Sequence, residues 1–229
     1  AKDAILGVVS HEMRTPLTAI IGFAEVIAIQ SQPASEMAGR IRGNAQRLIH
    51  MVNNLLDHAQ AQSNALIIRR EFISLNSLMQ PVTDLLSGLA SEKNLLLKAE
   101  IDPSLPVTVI GDSARLQQIL VNLVGNAIKF TDCGEVSISF HASGQANVWS
   151  IVVGDTGIGI PEERLPDIFE PFRRGSDYAT RSHQGAGLGL SIVKNLVTLM
   201  AGKIDVKSTI GMGSIFTVTL PLEKEIVKE

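Results

Sequence analysis

The sequence is poor in the residue types that announce many chemistries. It has one cysteine, Cys133, in 229 residues. An internal disulfide and a cysteine-built metal centre are therefore both excluded, and a reducing compartment suits the chain. Aromatic residues make up 4%, and 20 Lys and Arg stand against 23 Asp and Glu, a formal net charge of −3. With few stacking platforms and no basic footprint, nucleic acid is not an expected partner. No apolar run is long enough to span a bilayer, and no secretion signal is visible. The chain opens at Ala1 in a helical pattern. It reads as a piece of a longer parent, cytoplasmic in itself, with any membrane attachment in segments outside this sequence.

What remains is ordinary for a globular protein, 45% hydrophobic and 19% charged, with length for two modest domains. The first third reads as two helices. Ile5, Val9, Met13, Pro16, Ile20, Phe23 and Ile27 recur in alternating steps of four and three, and Ile41, Ala45, Leu48, Val52, Leu55 and Ala59 do the same. Residues 30–34, around Pro33, separate them. Such a hairpin buries too little surface alone, and a second copy would complete a four-helix bundle. The simpler arrangement packs the hairpin on its own C-terminal domain, but two long stripes that need no further element favour the dimer.

From Ile67 onward, strand-like and helical runs alternate. The pattern predicts helices over 75–90, 113–130 (with Asp112 as N-cap) and 188–201, the last ended by Gly202. It predicts strands over 96–101, 107–110, 135–141, 148–154, 203–208 and 214–220, with turns at 143–144 and 211–213. Strands joined mostly as hairpins beside helices give an α+β sandwich. The polar, aperiodic stretch 173–184 is expected to be a mobile loop.

Four clusters carry chemistry. In Ser10-His11-Glu12-Met13-Arg14-Thr15-Pro16-Leu17, His11 lies off the apolar stripe, Thr15 shares its face one turn on, and Pro16 should bend the helix at Glu12. A solvated histidine is the plain reading of His11 alone. In Asn122-Leu123-Val124-Gly125-Asn126-Ala127-Ile128-Lys129, the two amides and the lysine share a helical face. Amide oxygens can ligate Mg²⁺ and the lysine can neutralise phosphate. Read alone, Arg115, Gln118, Asn122, Asn126 and Lys129 are better taken as the wet face of an amphipathic helix. Asp155-Thr156-Gly157-Ile158-Gly159-Ile160 follows a strand. Its carboxylate can accept a hydrogen bond from an exocyclic amine such as that of adenine, or it is a surface aspartate in a tight turn. Gly185-Ala186-Gly187-Leu188-Gly189-Leu190 opens a helix, whose free N–H groups favour phosphate, or it is a hinge. It follows a polar loop instead of a strand and lacks the dinucleotide spacing, and no Walker lysine is present. Between the last two, Phe169-Glu170-Pro171-Phe172 should tether the base of the mobile loop.

In this order and spacing, the segments resemble the signature set of the sensor histidine kinases: the H box at 10–17, the N box at 122–130, two glycine boxes at 155–160 and 185–190, and the F box at 169–172. The resemblance implies a dimerisation and phosphotransfer domain, 1–66, that forms a dimeric four-helix bundle. It implies a catalytic domain, 67–229, with the Bergerat-type α/β sandwich of gyrase and the mismatch-repair ATPases. ATP and Mg²⁺ would be required. His11 would be the phosphoacceptor, Glu12 its general base, and Thr15 the residue that positions water for dephosphorylating a response-regulator receiver domain. Asn126, supported by Asn122, would hold Mg²⁺, Lys129 would contact phosphate, and Asp155 would read the adenine amine. Gly157, Gly159, Gly185, Gly187, Leu188 and Gly189 would line the nucleotide, under a lid at 173–184 with Arg173 and Arg174 as candidate γ-phosphate contacts. Ala186 stands where a hydroxyl residue is frequent, which removes one phosphate contact.

Two rivals are a clamp-type ATPase of the same fold and a dimeric scaffold without catalysis. The ATPases use glutamate at the position of Asn122 to activate water, and intact boxes argue against the scaffold. The apolar stripes predict a homodimer, which light scattering at micromolar protein would detect; a monomer there would rule out the bundle.

Overall fold

The computed structural model describes residues 17–24, 27, 41, 45, 67–142, 147–171 and 189–222. The chain divides into two compact units, Ala1–Leu66 with Pro171–Leu188 and Ile67–Glu170 with Gly189–Glu229. In the first, residues 17–24, 27, 41 and 45 are helical, as the stripes predict; Ile20, Phe23 and Ile27 are half-buried while Leu17 and Ile21 are exposed. The helix break at 30–34, the turn at 143–144 and the loop at 173–184 lie outside the described residues.

The second unit is built on a five-stranded sheet. Its strands are β2 (Leu96–Ile101), β4 (Glu135–Ala142), β5 (Val148–Asp155), β7 (Gly213–Pro221) and β6 (Lys203–Thr209), in the order β2-β4-β5-β7-β6. A separate antiparallel pair joins β1 (Glu71–Ser74) to β3 (Thr108–Gly111). Strict alternation aims one face of the sheet at the core: Val136, Ile138 and Phe140 on β4, Trp149, Ile151 and Val153 on β5, Phe216, Val218 and Leu220 on β7. Phe140 and Trp149 meet edge to face at 5.6 Å between ring centroids. The opposite face carries mostly serines, threonines and charged residues, with Val152 and Ile215 among them, and among the described residues no helix packs on it.

Three helices cover the apolar face: α1 (Leu75–Glu92), α2 (Ser113–Phe130) and α3 (Gly189–Leu199). The middle helix, α2, packs against both others. Asp112 caps it, accepting the Arg115 N–H through Oδ1 at 3.1 Å, and Leu116, Ile119, Leu120, Leu123, Val124 and Ile128 fill the space over the sheet.

Three features depart from the sequence reading. β1 was not expected; its four residues include only one buried apolar side chain, Ile73, too short a run to show a period. The pair β2–β4 is parallel, not a hairpin, because the chain between them runs through β3 and α2. At the end of α3 the left-handed residue is Ala201 (φ 55°), not Gly202. Gly202 N–H reaches back to Val197 O at 2.8 Å, which makes it the residue after the left-handed one in a Schellman-type end. Gly202 is required for another reason: a Cβ there would lie 2.5 Å from Thr219 O.

A left-handed alanine is strained where glycine is not, so Ala201→Gly should stabilise the protein by about 0.5–1 kcal/mol. Urea unfolding would show this as a higher midpoint at constant slope. A lower midpoint would mean that the alanine methyl contributes more packing than it costs in strain.

Candidate functional site

Asp155 is the last residue of β5, in register with Ser214 on β7. Its Oδ1 accepts the N–H of Gly157 at 2.9 Å and of Ser214 at 3.2 Å. These bonds fix the carboxylate at the end of the sheet, and among the described residues Oδ2 accepts no backbone N–H. Burial pushes the carboxyl up from its ordinary value, opposed by the bonds from Gly157 and Ser214. A hydroxyl relay braces the same corner. Ser208 Oγ accepts Ile160 N–H at 2.7 Å, donates to Gly213 O at 2.8 Å, and lies 3.0 Å from Ser214 Oγ.

The glycines here serve close approach to protein backbone. A Cβ on Gly157 would lie 2.3 Å from Phe130 O, and one on Gly159 (φ 71°) 2.1 Å from Thr209 O. The loop is thereby laid between the end of α2, where Ile158 N–H donates to Phe130 O at 3.2 Å, and the β6–β7 turn, where Gly211 N–H donates to Ile158 O at 2.8 Å.

The α2 face is not simply a wet one. None of Arg115, Gln118, Asn122, Asn126 and Lys129 is exposed, and Asn122 is buried. Asn122 Nδ2 donates to Gln118 O at 2.9 Å, which leaves Oδ1 turned towards α3. A Cβ built on Gly189 would lie 3.0 Å from Asn122 Oδ1 and 3.8 Å from Asn126 Nδ2, so the two amides meet the first residue of α3. Gly125 on the same stretch faces open space. Lys129 Nζ lies 4.8 Å from the centroid of the Phe130 ring. Among the described residues no cluster of His, Cys, Asp or Glu could hold a metal. Amide oxygens backed by water suit a hard cation such as Mg²⁺, and the donor set fits that ion.

Phe169 is half-buried, with Lys194 of α3 over its ring at 5.8 Å. His11, Glu12, Thr15, Phe172, Arg173, Arg174, Gly185, Gly187 and Leu188 lie outside the described residues. The structure thus brings together Asp155, Gly157 and Gly159 at one end of β5, and separately Asn122, Asn126 and Gly189 where α2 meets α3, with the Ile158–Phe130 bond tying the first group to the end of α2. Sequence reasoning missed Ser214, which donates to Asp155, Ser208, which braces Ser214, and Gly213, whose lack of a side chain lets it pack against the Asp155 backbone. The repeated Ser/Gly pattern over 208–214 was the available signal, but only the β5–β7 register places it at the carboxylate.

Residues 111–224 match the family described as Histidine kinase-, DNA gyrase B-, and HSP90-like ATPase. A mixed sheet covered on one face, with an aspartate at a central strand's end and amides on the adjoining helix, defines the larger unit as an ATP-binding sandwich of that class. Residues 1–64 match the His Kinase A (phospho-acceptor) domain. With both matches, the chain belongs to the histidine kinases, as a catalytic core of that family. It is 38% identical to sensor histidine kinase AtsR of Burkholderia thailandensis, over 97% of this chain and 38% of that protein. It is 33% identical to the autoinducer 2 sensor kinase/phosphatase LuxQ of Vibrio vulnificus, over 96% of this chain and 26% of that protein. Full-length ShkA, solved with AMPPNP, superposes with a TM-score of 0.72 at 30% identity, over 97% of this chain and 46% of that one. The chain spans well under half the length of the curated relatives it matches. Among the described residues no helix is long and apolar enough to cross a membrane.

Because the folded protein raises the Asp155 carboxyl, it binds that proton more tightly than the unfolded chain does. The group therefore favours folding below the ordinary carboxylate range, and that contribution is lost as pH rises through the raised value. Asp155→Asn keeps an oxygen for the two N–H groups and removes the buried charge. Without nucleotide it should melt no lower than the parent at neutral pH, with any gain fading in acid. A variant that melts lower at neutral pH would show that the charge itself holds the corner.

Proposed function

We propose that this chain transfers the γ-phosphoryl group of ATP to His11 and passes it on to an aspartate of a response-regulator receiver domain. The observation that carries the reading is the position of His11 inside the matched phospho-acceptor domain, in a chain whose other unit is an ATP-binding sandwich. Residues 1–66 would form the dimerisation and phosphotransfer domain and 67–229 the catalytic domain.

The neutral imidazole of His11 attacks the γ-phosphorus while the bond to the ADP oxygen breaks. An imidazole of ordinary pKa, about 6.5, is a competent nucleophile near neutrality. Glu12 takes the proton from the other ring nitrogen, or holds it, and so stabilises the positive charge that develops. Asp155 accepts the adenine amine, and Gly157 and Gly159 hold the loop that presents it. Asn126 with Asn122 would hold Mg²⁺, which supplies charge neutralisation at the phosphates, and Lys129 adds a second cation. Phosphoryl transfer needs little from the protein beyond such positioning and charge. Gly185, Gly187, Leu188 and Gly189 would present N–H groups to phosphate at the start of α3.

The match of residues 1–64 to the phospho-acceptor domain, with the apolar stripes within it, supports a homodimer of the hairpins. Thr15, one turn from His11, would orient a water that hydrolyses the receiver's aspartyl phosphate, releasing inorganic phosphate and the free carboxylate; LuxQ is described as both kinase and phosphatase.

With labelled ATP and Mg²⁺ the protein should acquire an acid-labile, base-stable label, the mark of a phosphorus–nitrogen bond. His11→Gln should abolish the label and still bind ATP. Asp155→Asn should weaken ATP about 10- to 100-fold, since it places a donor where a charged acceptor met the amine. Undiminished labelling of His11→Gln would remove His11 from the reaction. Rapid release of free phosphate without a protein label would replace the kinase by an ATPase.

A further inference from the structure

The last turn of α2 is closed by a residue outside every signature box. Lys93 is the C-cap residue of α1. Its ammonium donates to three carbonyls at the end of α2: Ile128 O at 3.0 Å, Lys129 O at 2.9 Å and Thr131 O at 3.0 Å. Asp132 Oδ1 lies 3.7 Å from the same nitrogen. The neighbouring carbonyls are taken by others. Thr131 Oγ1 donates to Ala127 O at 2.7 Å, and Ile158 N–H to Phe130 O. All five carbonyls from Ala127 to Thr131 thus have partners from outside the helix backbone. Three of those partners are the N–H bonds of one ammonium, and one belongs to the Asp155 loop.

A helix end normally leaves its last four carbonyls to water or a cap. Here the cation sits at the negative end of the helix dipole. The carbonyls it holds flank, on both sides, the one on which the Asp155 loop hangs. Asn126 lies one turn before this end and Lys129 inside it. If the turn frays, the distance between the amides of α2 and the carboxylate at the end of β5 is no longer fixed.

We infer that Lys93 is a positioning residue for the nucleotide: by clamping the last turn of α2, it sets Asn126 and Lys129 in register with the Asp155 loop. The inference rests on the ATP-binding reading above and assigns Lys93 no contact with ATP. Lysine suits the role because its three N–H bonds radiate from one point. Arginine has a planar fork that cannot aim three donors at carbonyls converging from one helix end.

The test is nucleotide affinity of the whole chain, read with a fluorescent ATP analogue and Mg²⁺ well below the melting temperature. Lys93→Met keeps the stem and removes the donors, and Lys93→Arg keeps the charge. Both should bind at least fivefold more weakly than the parent, the methionine variant more so, while circular dichroism remains native. Amide exchange should quicken at Ile158 and over 126–130 and stay unchanged in β4 and β5. A stabilising role alone would leave affinity intact in a folded variant. If both variants fold and bind within twofold of the parent, the inference is wrong. If neither folds, Lys93 is a stability residue and the inference falls as well. A parent that does not bind the analogue would instead overturn the proposed function.

Discussion

The carbonyls that end α2 are the point on which the proposed nucleotide site hangs. An α-helix cannot satisfy its own final carbonyls, and buried ones left unpaired are costly. In this chain they are met by a lysine from α1, a threonine from the helix's own end and an amide from the Asp155 loop. A requirement of backbone chemistry thereby becomes a means of alignment. The same hydrogen bonds that close the helix fix it against the next helix on one side and against the end of the central sheet on the other.

Asp155 is held in the complementary way. Its carboxylate lies at the last registered pair of β5 and β7, tied by one N–H from its own loop and one from the partner strand. Burial works against the charge, and the two amides offset part of that cost. Gly157 and Gly159 let the loop settle against Phe130 O and Thr209 O, contacts that any side chain would block. Pre-organisation here comes from a loop wedged between two pieces of fixed backbone.

Much of this was legible in the sequence because it is local. The strand at 96–101 and the helix at 113–130 matched their predicted bounds, the latter because Asp112 is an N-cap followed by a clear apolar face. Glycines at 157 and 159 announced unusual backbone. What stayed hidden depends on distant pairing. Lys93 reads as a charge at a helix end until α2 is seen beside it, and Ser208 and Ser214 have no visible tie to Asp155 until β5 and β7 are in register. Ala201 was passed over because the adjacent glycine is the stronger turn signal. The wet-face reading of α2 does not extend to Asn122, which is buried, because periodicity shows that a polar stripe exists, not what covers it.

The parallel pairing of β2 with β4 carries one more consequence. A hairpin cannot join parallel strands; a crossover is required, and here that crossover contains α2. The helix bearing Asn122, Asn126 and Lys129 is thus also the path by which the chain reaches its next strand. An engineer or a drifting lineage can blank its polar side chains one by one and keep the sandwich. Deleting the helix would detach the edge strand with it. Loss of nucleotide chemistry in this architecture should therefore leave a visible relic: an intact sheet and an intact crossover helix whose amides have been replaced.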